Sequence, residues 1–92
     1  MVKSEKKTRN PVWLELPGYR VVAAKPEFDA HAVELGRAVH RGITAYPDWA
    51  RGDFYDVALE KGWAYIHVYP NESAVYLIAY ISTFNSLPVA TS

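Results

Sequence analysis

Between residues 63 and 81 the chain carries two runs of large β-formers, Trp63-Ala-Tyr-Ile-His-Val-Tyr69 and Ala74-Val-Tyr-Leu-Ile-Ala-Tyr-Ile81, divided by the turn cluster Pro70-Asn71-Glu72-Ser73. β-Branched and aromatic residues favour strands, so this segment predicts a β-hairpin. A four-residue loop sets Tyr69 against Ala74, Val68 against Val75 and Ile66 against Leu77. Alternate residues then sort to opposite faces. One face holds Ala64, Ile66, Val68, Val75, Leu77, Ala79 and Ile81 and is aliphatic. The other holds Trp63, Tyr65, His67, Tyr69, Tyr76, Ile78 and Tyr80 and is ringed.

Upstream, Pro26 to Arg41 reads as an amphipathic helix. Phe28, Ala32, Leu35 and Val39 recur at spacings of four, three and four, which draws one apolar stripe. Proline suits its first turn, and Glu27 and Asp29 sit at the positive end. Arg37, His40 and Arg41 sit at the negative end, and Gly42 is the natural stop. Gly36 inside the helix costs about 1 kcal/mol relative to alanine, which close packing against the sheet would offset.

Residues 12–25 read as a second hairpin. Val12, Leu14 and Leu16 alternate with Trp13 and Glu15, and Pro17-Gly18 suits a type II turn into Tyr19-Arg20-Val21-Val22-Ala23. That register faces Leu14 with Val21 and Glu15 with Arg20. Residues 43–52 read as a long connection around Tyr46-Pro47-Asp48-Trp49. Asp53 then caps a short second helix to about Lys61, with Phe54, Val57 and Ala58 on its apolar side and Gly62 closing it.

The expected fold is therefore α+β: a two-layer, four-stranded antiparallel sheet in ββ-α-α-ββ order, with one long and one short helix on one face. Residues 1–10, with Lys3, Lys6, Lys7 and Arg9 against Glu5, are expected to form a disordered basic tail. Residues 11–84 are expected to form one domain, and 85–92 a frayed end.

Composition narrows the function classes. The chain of 92 residues has ten basic and ten acidic side chains, half its residues are apolar, and it has no cysteine. Charge balance gives no global argument for nucleic acid as partner. The missing cysteines exclude disulfide scaffolds, thiolate zinc sites and thiol catalysis. The longest uninterrupted apolar run, Ala74 to Ile81, is less than half of a membrane span, and the N-terminus lacks the apolar core of a secretory signal. A cytoplasmic location is expected.

No catalytic motif emerges. His31 and His40 lie on one helix about 180° apart and about 13 Å along it, so they share no metal. His67 stands among tyrosines without His-x-His spacing, and neither metal nor cofactor is expected. Asp53, Asp56 and Glu60 at helical spacing read as helix-opening charges. Nucleophile elbows and phosphate-binding glycine loops are absent.

Function is therefore sought on the ringed face, because a two-layer fold normally leaves the outer sheet face polar. Three explanations stay open. The Tyr46–Trp49 connection or the second helix folds over the rings; a second copy of the chain covers them, as tyrosine and tryptophan suit interfaces; or they stack single-stranded nucleic acid, helped by the basic tail. The expected protein is a small non-catalytic interaction module, homodimer or adaptor. The alternatives are the nucleic-acid module and a small enzyme with its site in the 44–56 connection. A ligand loop there would combine Arg41, Thr44, Tyr46, Asp48, Trp49 and Arg51, with the arginines as anion contacts.

Overall fold

A computed structural model of the chain describes residues 10–82. Residues 1–9 and 83–92 lie outside the described residues, and with them all of the expected tail (1–10) except Asn10 and the whole of the expected frayed end (85–92). The order of elements is β1 (Val12–Leu14), β2 (Arg20–Ala23), a 3-10 turn (Pro26–Phe28) running into α1 (Asp29–Arg41), then β3 (Ile43–Pro47), β4 (Phe54–Leu59) and β5 (Gly62–Tyr69). A second 3-10 turn (Pro70–Glu72) leads into β6 (Ala74–Ser82). The helix forms where the apolar stripe and end charges placed it, and its last turn is closed by the Gly42 amide on the Ala38 carbonyl. Among the described residues, no helix is long and apolar enough to cross a membrane.

Among the described residues the sheet has six strands in the order β1-β3-β4-β5-β6-β2. All neighbours are antiparallel except β2 and β6, which run parallel. This corrects the expected four-stranded antiparallel sheet in ββ-α-α-ββ order. The fold is α+β, but its sheet is mixed, and residues 26–41 supply the single helix among the described residues.

Two segments account for the difference. Ile43–Pro47 is a strand, and so is Phe54–Leu59, where a second helix was expected. Alternation overrides the weak helical stripe in the latter. Tyr55, Val57 and Leu59 point to the core and face Ile66, Ala64 and Gly62 across the ladder. Asp53 is no helix cap; it sits in the turn before β4 at φ 66°.

The Pro17-Gly18 turn is present, with the Tyr19 amide bonded to the Leu16 carbonyl at 3.2 Å and Gly18 at φ 87°. The expected hairpin around it is not. Leu16 donates to the Val39 carbonyl at the end of α1 (2.7 Å), so the chain crosses that end of the helix instead of doubling back. β1 and β2 consequently occupy opposite edges of the sheet. Leu14 pairs with Ile43 rather than Val21. Arg20 lies opposite Ala74 and forms its ion pair with Glu72, at 3.8 Å, rather than with Glu15.

The core lies between α1 and one sheet face. Leu35 and Val39 of the helix are fully buried, as are Ala45, Val57, Ala64, Ile66, Val75 and Leu77 of the sheet. The register of the last hairpin follows the expected pairs at Tyr69–Ala74, Val68–Val75 and Ile66–Leu77. It then shifts: Tyr65 faces Ala79, which leaves Ile78 as an extra residue in β6. Such a bulge exchanges the faces of every residue beyond it.

Candidate functional site

The helix covers one side of the sheet, and the side chains of opposite parity form the other side. β5 contributes Trp63, Tyr65, His67 and Tyr69 to that side, and β6 contributes Tyr76 opposite His67. β4 adds Phe54 opposite His67 and Asp56 opposite Tyr65, while β3 adds Tyr46 opposite Asp56.

The rings touch in sequence. Tyr65 and Phe54 have centroids 5.4 Å apart, and Phe54 stacks on His67 at 3.9 Å. His67 meets Tyr69 at 4.0 Å, and Tyr69 meets the edge of Tyr76 at 4.9 Å. Separately, Tyr46 and Trp63 make an edge contact at 5.8 Å. Each such pair contributes about 0.5–1.5 kcal/mol beyond its buried area, so the array is held as a surface before anything docks on it. Trp63, Tyr69 and Ile78 remain more than one-third exposed, and Ile81 is 65% exposed.

The bulge changes the membership of this face. Tyr80, expected among the rings, turns to the helix side and stacks on His31 at 3.7 Å. Its hydroxyl is buried without a hydrogen-bond partner. Ala79 and Ile81, expected on the aliphatic face, stand instead on the parity of Tyr65 and Trp63. Burial raises the Tyr80 hydroxyl above its ordinary pKa, with a smaller push from the Glu34 charge.

The 43–53 segment is half strand and half loop. Its loop end caps one end of the ringed face. The Tyr65 hydroxyl donates to Asp48 Oδ2, which also fixes the loop because the Ala50 amide donates to Asp48 Oδ1 at 3.0 Å. The Arg51 guanidinium lies 4.4 Å from the Phe54 ring centre, a cation–π contact. Trp49 projects away and is 71% exposed. The loop thus covers the Tyr65–Phe54 end and leaves Trp63, Ile81 and Tyr69 open. The Tyr65 hydroxyl is raised by burial first and by its bond to Asp48 second, against an opposing contribution from Arg51. Tyr55, on the core side, is raised by burial and then by Asp53.

The expected ligand loop is divided. Tyr46, Asp48 and Arg51 gather at the ringed face, and Thr44 pairs with Trp13 further along the same side. Arg41 is in the last turn of α1, on the helix side of the sheet, and shares a groove with His40. Asp53, Asp56 and Glu60 do not share a helix face; they occupy a turn, a strand and the β4–β5 turn. Among the described residues, no three His, Asp or Glu side chains come together where they could hold a metal ion. Phe54, the second ring of the series, is not among the residues expected on this face. Its signal was the alternation of Phe54, Asp56 and Ala58 with Tyr55, Val57 and Leu59.

No family model, curated protein or solved structure matches the chain.

Proposed function

We propose that the protein is a small non-catalytic interaction module, cytoplasmic, whose ringed sheet face docks against a second copy of itself. One observation carries this reading: a contiguous array of rings occupies the sheet face opposite α1, and Trp63, Tyr69, Ile78 and Ile81 project from it into solvent. Tyrosine, tryptophan and histidine bury large area while keeping a polar tip for the rim.

The size is more than half of what a stable pair needs before side-chain relief is counted. Four adjacent strands, β3 to β6, span about 19 Å, and eight residues of β5 run about 26 Å, a flat area of about 500 Å². Side-chain relief brings that toward the about 800 Å² per partner of stable complexes. Two-fold pairing is the commonest way for a chain to cover such a face with itself.

Light scattering at micromolar concentration is the test, on the native chain and on Ile81→Glu, Tyr65→Glu and Tyr76→Glu. Ile81 is already exposed, so its variant folds whether or not the chain pairs. A dimer mass that falls to the monomer in Ile81→Glu is expected. A monomeric native chain would sink the proposal.

A second reading has its own observation. Arg51 places a cation on the Phe54 ring, the combination of stacking surface and charge that single-stranded nucleic acid requires. Titration of labelled single strands at low and high salt separates it from the first, because that mode demands affinity that falls steeply with salt.

A further inference from the structure

On the helix side, beside the ladder's parallel end, an open groove of about 820 Å³ runs between α1 and β2. Its helix wall is one stripe, Val33, Arg37, His40 and Arg41, and its other wall is Tyr19 and Val21. Val33 is 56% exposed, a large apolar side chain on the outer side of the helix. Arg37, His40 and Arg41 have no carboxylate within ion-pair distance among the described residues. Cations in a last helical turn are favoured in any protein, which accounts for His40 and Arg41. It accounts neither for Arg37, one turn earlier, nor for exposed Val33.

The groove also ends on a strand edge. Among the described residues β2 is the last strand on that side of the sheet. The Arg20 amide donates to the Ser73 carbonyl and the Ala24 amide to the Leu77 carbonyl, both at 3.0 Å. Backbone groups of alternate residues point the same way along a strand, so Val21 and Ala23 turn their N–H and C=O groups outward. An edge of this kind is a template for another strand.

We propose that this edge takes an extended acidic segment of a partner protein as a seventh strand. The segment's backbone bonds to Val21 and Ala23, and its side chains of one parity face α1: these are the carboxylates, which meet Arg37, His40 and Arg41 and lay their methylene stems along Val33, while the β-forming residues between them face the other side of the sheet. Strand addition supplies affinity through the main chain and specificity through alternate side chains, and arginine–carboxylate pairs fix the register. The charge selects the occupant. A second copy pairing edge to edge would bring its own Arg37 and Arg41 against these, and the basic residues 3–9 are of the same sign. The groove and the ringed face lie on opposite sides of the sheet, so either can fail alone.

The probe is a fluorescein-labelled octapeptide of alternating glutamate and valine, followed by anisotropy. Its controls are the same peptide N-methylated at alternate amides and a lysine–valine counterpart. Saturable binding by the glutamate peptide alone is expected. It should weaken by at least about tenfold in the double variant Arg37→Glu, Arg41→Glu, which removes two charge-assisted contacts. Both arginines are exposed, so thermal melting should show the variant folded. Amide exchange at Val21 and Ala23 should be fast in the free protein and slow with peptide. Equal binding of the methylated or lysine peptide, no binding up to millimolar, an unaffected double variant, or protection of both amides without peptide would each overturn the proposal.

Discussion

Gly62 offers a direct test of how the bulge in β6 shapes the core. A Cβ built on Gly62 would stand 2.4 Å from the Ile81 carbonyl oxygen and 2.6 Å from both Cζ and the hydroxyl oxygen of Tyr80. Carbon and carbonyl oxygen rest at about 3.3 Å, and carbon pairs at about 3.5–4.0 Å. The methyl group therefore demands roughly 1 Å of movement from both neighbours. Neither moves cheaply. The Ile81 carbonyl belongs to a backbone paired with Trp63, and the Tyr80 ring is stacked on His31. Overpacking of this kind costs about 1–3 kcal/mol, and the backbone contact places Gly62→Ala at the upper end. For a domain of this size, that lowers Tm by about 10–20 °C. Gly52→Ala is the control, because a Cβ there meets nothing within 4 Å and Gly52 has no positive φ. Thermal melts followed by circular dichroism on the two variants decide the matter. Should Gly62→Ala melt within about 2 °C of the native chain, or no lower than Gly52→Ala, the inward placement of Tyr80 is wrong.

Removing the Tyr80 hydroxyl relieves a buried group without a partner, so Tyr80→Phe should gain about 1 kcal/mol in urea denaturation at neutral pH. Tyr55, Tyr65 and Tyr80 all hold their protons more tightly in the fold. Their contribution is complete below about pH 9 and is lost as pH rises past 10, where the unfolded chain ionises first. The alkaline fall in stability should be shallower in Tyr80→Phe, and equal slopes would contradict the assignment. Ser73 closes the second 3-10 turn in the left-handed region, at φ 49° and ψ 49°. Ser73→Gly should raise stability by about 0.5–1 kcal/mol, and a lower urea midpoint would count against it.

The parts of the fold legible in the sequence are those whose signal is local and repeated. The helix stripe from Phe28 to Val39 spans three turns, and the last hairpin joins two long β-rich runs through a short turn. Phe54–Leu59 is ambiguous in sequence because six residues hold too few turns to separate a helical stripe from alternation, and Asp53 imitates a cap. Pro17-Gly18 marks a turn in the sequence, and a turn is what forms, without a hairpin around it. A turn fixes only its own four residues, and the partners of β1 and β2 are set by β3 and β6, far along the chain. The bulge at Ile78 carries no glycine or proline to mark it, so the exchange of Tyr80 for Ile81 on the ringed face left no trace. Gly36 was expected to mark a close approach, yet a Cβ there would sit at an ordinary 3.6 Å from Val21. The ring array was legible through β5, and invisible where Phe54 and Tyr46 join it from segments not read as strands.

The parallel seam between β2 and β6 has a kinetic consequence. From β3 to β6 each strand pairs with its successor, so that meander can zip from turn to turn as contacts of short range accumulate. Arg20, by contrast, must find Ala74 with most of the described chain looped between them. Relative to the four-residue turn of the last hairpin, that loop is roughly four doublings longer, an extra entropic cost of about 2–2.5 kcal/mol. The segment that a ribosome releases early is thus the one whose partner strand emerges late, and on loop entropy alone the β2–β6 seam is expected to close last.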